Sequence, residues 1–197
     1  MRKGQAVGLL GGSFNPAHGG HRHISLQAMR RLKLDEIWWL VSPQNPLKPV
    51  AGMAPFAARL ESARRVARHP RLRVSGIEAA LDTTLTVDTI AALKARHPQV
   101  RFVWLMGADN LLQFHRWVAW RAIAAMVPIV VLDRPGYSGR RHAAPALSWL
   151  RRFRHPTPAG WRSWSLPAFV TLNLGYDPRS ATQIRQIMPR WAEETPA

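Results

Sequence analysis

The stretch Ala6-Val7-Gly8-Leu9-Leu10-Gly11-Gly12-Ser13-Phe14-Asn15-Pro16-Ala17-His18-Gly19-Gly20-His21 decides how the rest of this chain is read. Ala6 to Leu10 is a short apolar run of the kind a buried strand needs, and Gly11 and Gly12 close it. Beyond His21, Leu26 to Leu34 shows apolar residues at helical spacing with basic residues between them. Strand, glycine loop and helix in that order put the loop at the carboxyl end of a first strand, which is where an open α/β sheet binds ligands. A helix start there offers unpaired N–H groups to an anion, so phosphate is the natural guest. Gly11 and Gly12 let the backbone approach a ligand closely, and His18 and His21, three apart, set two imidazoles on one side, where both can donate to the same phosphate. The stretch is neither the dinucleotide fingerprint G-x-G-x-x-G nor a P-loop with its Lys-Ser/Thr, which weighs against simple dehydrogenase and P-loop readings.

Outward from this stretch the pattern repeats. Ile37 to Val41 predicts a strand, Ser42 to Pro55 a proline-rich loop, and Phe56 to Arg68 a helix stopped by His69-Pro70. Arg71 to Ser75 is a weak strand, Thr86 to Arg96 a helix with Thr86 as N-cap, and Val100 to Met106 a strong buried strand. Helical segments after Asp109, a strand at Pro128 to Leu132, a last strand at Ala168 to Leu172 and a last helix at Ser180 to Met188 complete the alternation. Ser180 and Gln183 form the pattern of a capping box at the start of that helix. Alternating strands and helices predict an α/β fold, a Rossmann-like open parallel sheet with helices on both faces, as a single domain over 1–197 with a tail at 190–197. The segment 133–167 breaks the rhythm as an irregular, basic, Trp- and Pro-containing excursion. A short helix, Ala144 to Phe153, is expected inside it, with Trp149, Trp161 and Trp164 packing back on the core rather than forming a lid.

Composition bounds the function. With 197 residues, 47% hydrophobic and 20% charged, the chain has the make-up of a folded globular domain, which excludes collagen-like and wholly disordered classes. No apolar run reaches the roughly 18 residues of a membrane helix, and Met1 to Gln5 lead straight into the first strand without the apolar core of a signal peptide. Zero cysteines exclude disulfides, thiol nucleophiles and thiolate metal sites and fit a cytoplasmic setting. The 28 cations exceed the 11 acids by 17, and 24 of the cations are arginine, whose planar fork suits phosphate. Seven of those arginines fall between Arg134 and Tyr176, where no acid occurs, so much of the excess is local.

Gly11 to His21 resembles the GG[ST]F[DN]PxHxGH signature of the HxGH nucleotidyltransferase superfamily, and within it the chain resembles the bacterial nicotinate-nucleotide adenylyltransferases. The likeness runs on through Lys48, Thr86-Val87-Asp88-Thr89, Gly107-Ala108-Asp109 and Trp117 to Ser180-Ala181-Thr182-Gln183-Ile184-Arg185, which resembles the family's C-terminal ISSTxxR motif. Arg179 stands where that motif has Ile, and Ala181 replaces its second Ser.

This resemblance implies transfer of AMP from ATP to nicotinate mononucleotide, giving deamido-NAD and pyrophosphate in NAD biosynthesis. His18 and His21 are the implied catalytic pair. Gly11, Gly12, Ser13, Phe14, His18, His21, Gly107, Asp109, Ser180, Thr182 and Arg185 would hold ATP, and Asn15, Lys48, Thr86, Trp117 and Arg134 the mononucleotide. Trp117 would stack on the pyridine ring, with Trp120 as its rival, and Asp109 could instead cap the next helix. The implied cofactor is Mg²⁺ carried mainly by the ATP phosphates, with no metal ligand set on the protein. The same chemistry on nicotinamide mononucleotide or phosphopantetheine is the near alternative. A nucleotide- or nucleic-acid-binding regulatory module on the same fold is the alternative of another class. The expected partners are ATP and nicotinate mononucleotide, with nucleic acid a lesser candidate, no membrane, and a second copy of the chain left open.

Overall fold

The computed structural model describes residues 2–44, 51–133, 144–174 and 180–193. Strands β1 (Ala6–Gly12), β2 (Glu36–Val41), β3 (Leu72–Ser75), β4 (Arg101–Gly107), β5 (Ile129–Asp133) and β6 (Phe169–Asn173) form one sheet in the order β3-β2-β1-β4-β5-β6. Every neighbouring pair is parallel, with Leu9 opposite Trp38 on one side and opposite Trp104 on the other. The chain leaves β1 toward β2 and β3, then crosses back to β4. The carboxyl ends of β1 and β4 therefore bound the crevice where strand order reverses.

Helices α1 (Gly19–Leu32), α2 (Phe56–Val66), α3 (Ile77–Ala80), α4 (Thr86–Arg96), α5 (Ala108–Phe114), α6 (Trp120–Met126), α7 (Pro145–Leu150) and α8 (Ala181–Ile187) connect or flank these strands. Because both faces of the sheet are covered, the strands read as continuous apolar runs, yet their side chains still divide with a period of two. Leu9, Trp104, Ile129 and Phe169 face a core shared with α4 to α7, whereas Leu10, Leu105, Val130 and Leu172 face a core shared with α1 and α2. The expected Rossmann-like parallel sheet is what the chain forms.

Helix α1 begins at Gly19, inside the stretch that the sequence reads as opening it. One local expectation needs correction. Thr86 is the first residue of α4 and not its cap; Leu85 holds that position without a side-chain bond. The capping work is done by Thr83, whose Oγ1 accepts from the Leu85 N–H at 3.1 Å.

The described part of the excursion packs as its tryptophans predict. Helix α7 continues as a 3₁₀ turn over Arg151–Phe153, together spanning the expected helix. Trp149 meets Trp120 edge-on at 5.2 Å, and Trp164 stacks on His155 at 3.8 Å. Trp161 is buried, and its indole N–H donates to the Leu32 carbonyl at 2.8 Å, one of the orphan acceptors at the end of α1. Trp161→Phe leaves that carbonyl without its donor and is expected to lower stability by about 1–3 kcal/mol in urea unfolding, with catalytic constants unchanged.

Candidate active site

At the carboxyl ends of β1 and β4 lies a cavity of about 420 Å³. Its floor depends on two glycines. A Cβ on Gly11 would sit 2.6 Å from the Trp104 ring, and one on Gly107 would collide with the Asp109 carboxylate, so side chains at either place would fill the crevice or displace its wall. Phe14 takes a left-handed conformation at φ 48°, which costs an L-residue roughly 1–2 kcal/mol. Its ring is buried and stacked on Trp39 at 5.1 Å, an attraction that offsets the strain and fixes the loop.

His18 is the N-cap of α1, and its Nδ1 accepts from the Gly20 N–H at 3.1 Å. His21 Nδ1 reaches back to accept from the His18 N–H at 3.2 Å, so two imidazoles form a reciprocal capping box. Both residues also line the cavity, so their capping bonds do not withdraw them from it. A neutral ring that accepts through Nδ1 carries its proton on Nε2, so both histidines are Nε2–H donors, with ring centroids 4.0 Å apart on the cavity wall. His21 is held further by Ser25, which donates to its carbonyl at 2.8 Å and accepts from the Trp39 indole at 2.9 Å.

Helix α8 brings Ser180, Thr182 and Arg185 to the same cavity. Ser180 caps it, accepting from the Gln183 N–H at 3.2 Å; the Gln183 side chain meets the Ser180 hydroxyl, giving one arm of the expected box. Arg185 donates to the Asn15 carbonyl at 2.5 Å and lies 3.4 Å from Thr182 Oγ1, which anchors α8 to the loop after β1. Asn15 in turn bonds Gly52 and Ala54 through its amide. Asp109 is the second residue of α5, not its cap, since Gly107 occupies that place, and its carboxylate stands on the cavity wall.

The cavity extends past Thr86 to Trp117. Trp117 is held edge-on by Trp104 and Phe114, at 6.0 and 5.4 Å, with part of its surface on the cavity. Trp120 is buried between Phe114 and Trp149 and does not line the cavity. The structure thus brings Gly11, Gly12, Ser13, Phe14, Asn15, His18, His21, Thr86, Gly107, Asp109, Trp117, Ser180, Thr182 and Arg185 around one cavity. Lys48 and Arg134 lie outside the described residues.

Sequence reasoning missed Arg116 and Glu78 on the same wall. Arg116 adjoins Trp117, and a cation beside a ring-stacking candidate was the available signal. Glu78 gave none: it sits in the four-residue helix α3, between a weak strand and a turn. Its side chain is buried, and that desolvation pushes its pKa above the ordinary 4.5, opposed by the Ser42 and Thr89 hydroxyls. The Thr89 hydroxyl lies 3.1 Å from the Leu85 carbonyl and 3.5 Å from Glu78 Oε1.

The model of the cytidylyltransferase-like family matches residues 9–187. A protein of Erythrobacter litoralis named probable nicotinate-nucleotide adenylyltransferase is 57% identical over 94% of this chain and 85% of its own length. One of the same name from Parvibaculum lavamentivorans is 53% identical over 94% of each chain. Among solved structures, the Plasmodium falciparum nicotinic acid mononucleotide adenylyltransferase complexed with NaAD shares the fold with a TM-score of 0.67 at 15% identity, covering 92% of this chain and 83% of that one. The fold and the site define a nucleotidyltransferase. The chain belongs to the cytidylyltransferase-like family and, within it, to the nicotinate-nucleotide adenylyltransferases of NAD biosynthesis.

The buried acid yields a pH signature. A carboxyl whose folded pKa is raised binds its proton more tightly in the folded state, so its contribution to stability is complete below about 4.5 and is lost as pH rises through the higher folded value. Glu78→Gln removes this dependence. In urea unfolding, the stability of the wild type relative to the variant should fall as pH rises above about 4.5, then level off.

Proposed function

We propose that the cavity holds ATP and nicotinate mononucleotide side by side and that the chain transfers the adenylyl group between them. An oxygen of the mononucleotide phosphate attacks the α-phosphorus of ATP in line; the new O–P bond forms as the bond to the β-phosphate oxygen breaks, and the electron pair leaves with pyrophosphate. No covalent intermediate with the protein is needed, so the protein's task is to position the reactants and stabilise charge. The observation that carries this reading is the reciprocal His18–His21 capping box. It aligns two Nε2–H donors, within a cavity also walled by Arg185 and the start of α8.

His18 and His21 would donate to the α-phosphate and bridging oxygens as negative charge grows there. Ser180, Thr182 and Arg185 would hold the distal phosphates, and Gly11, Gly12, Ser13, Phe14, Gly107 and Asp109 the rest of ATP. At the other end Trp117 would stack on the pyridine ring, Thr86 and its neighbouring backbone would recognise the carboxylate, and Asn15 would meet the mononucleotide. Lys48 and Arg134 belong to this proposal by resemblance alone. Among the described residues no three His, Asp or Glu side chains gather around a possible metal position. A Mg²⁺ carried by phosphate oxygens and water would need few protein ligands, and Asp109 is a carboxylate on the cavity wall that could meet it. When bound, Mg²⁺ would neutralise phosphate charge.

The test supplies ATP and Mg²⁺ with nicotinate mononucleotide, nicotinamide mononucleotide or phosphopantetheine and follows pyrophosphate release and the adenylylated product. Deamido-NAD should form at least tenfold faster than either rival product, because backbone donors near Thr86 that met a carboxylate would reward it over an amide. His18→Ala and His21→Ala should each lower kcat by about 10²–10³-fold. Preference for another acceptor would remove the roles of Trp117 and Thr86, and no transfer to any acceptor would overturn the reading.

A further inference from the structure

Arg59, on α2, is only 1% exposed, yet it is the partner of no ion pair among the described residues. Its guanidinium is engaged instead by main-chain carbonyls. Nε donates to Ala54 at 2.9 Å, Nη1 to both Ser13 at 2.8 Å and Ser42 at 2.7 Å, and Nη2 to Pro43 at 2.6 Å. The Phe56 ring lies 5.5 Å from its central carbon. Burial lowers its pKa from the ordinary value, but a guanidinium still keeps its proton at any physiological pH.

The two carbonyls shared by Nη1 are the informative ones. The β1–β2 ladder ends at Gly12 and Val41, with a last bond from the Ser42 N–H to the Gly12 carbonyl at 3.0 Å. One residue further on, Ser13 and Ser42 both line the nucleotide cavity, and no ladder bond joins them. The Arg59 fork takes over that role and sets the separation of the two loops. It also orients a donor. The Ser13–Phe14 peptide is trans, so drawing the Ser13 carbonyl toward Arg59 turns the Phe14 N–H to the opposite side. A lysine, with a single point of donation, cannot span four separate carbonyls in this way.

We propose that Arg59 is a positioning residue for the phosphates of the bound nucleotide: it fixes the loop after β1 against the loop after β2, orients the Phe14 amide, and sets an unneutralised positive charge behind both. Charge in a dry, fixed place favours an anion without reorganisation when the anion arrives. The inference rests on the adenylyl-transfer reading for the identity of its ligand, but its test does not require turnover.

The experiment compares binding of a non-hydrolysable ATP analogue with Mg²⁺, and of adenosine, to wild type, Arg59→Met and Arg59→Lys by calorimetry. Circular dichroism checks the fold of each variant. The preference for the analogue over adenosine should fall at least tenfold in Arg59→Met and part of the way in Arg59→Lys, which keeps charge and loses the fork. A general loss of structure would weaken both ligands alike. An unchanged preference in a folded variant overturns the proposal, as does a proportionate loss of both ligands. If neither variant folds, an amide-resolved titration of wild type with pyrophosphate decides: a large shift of the Phe14 amide that adenosine does not produce is expected, and a stationary Phe14 amide overturns the assignment. Wild type that binds the analogue but transfers no adenylyl group would refute the functional reading and leave Arg59 tested.

Discussion

Parallel pairing of β1 with strands on both sides is the constraint from which the site follows. Because β1 hydrogen-bonds β2 on one edge and β4 on the other, its carboxyl end has no neighbour to continue toward, and the chain must turn out of the sheet between two diverging crossovers. The backbone donors released by that turn have to be satisfied. His18 and His21 satisfy two of them through Nδ1, and that same geometry fixes which nitrogen of each ring carries a proton. The anion donation proposed for these rings thus depends on the bonds that cap the helix, and loosening the helix start would also disorder the proposed phosphate site.

A second consequence concerns the charge of the cavity. Anionic nucleotides bring several negative charges into a partly dry space, and a carboxylate in the wall would oppose them. Glu78 answers by burial that favours its neutral form, while Arg59 answers with a cation whose partners are neutral carbonyls. The burial of Glu78 leaves the wall less negative than a tally of its acidic and basic residues would suggest, and Arg59 adds a cation behind it.

The sequence made the fold legible wherever burial writes a pattern. β4 is a continuous apolar run because both its faces are covered, and α4 shows both its ends through the threonine at its start and the basic residues at its close. The loop from Gly11 to His21 was legible because its residue types and spacing are tied to one backbone path. What stayed hidden depends on backbone atoms, which have no letter. Arg59 reads as one more surface cation on a basic helix, since its four acceptors are carbonyls that any sequence supplies. Glu78 is hidden for the related reason that α3 is too short to show a period. Trp117 and Trp120 are equally large and three apart; only the direction of the turn after α5 separates the one on the cavity from the one in the core.

The bond from Trp161 to the Leu32 carbonyl, beside a 2.6 Å bond from Arg162 to the Lys33 carbonyl, joins positions 129 residues apart. Both acceptors belong to the carboxyl end of α1, the helix whose other end holds the two histidines. During synthesis at about 5–20 residues per second, that end waits on the order of ten seconds for the segment that closes it. The amino-terminal half of the sheet therefore emerges with its first helix unfinished. Arg185, which anchors α8 to Asn15, arrives later still, so the nucleotide cavity is among the last features of the molecule to be completed.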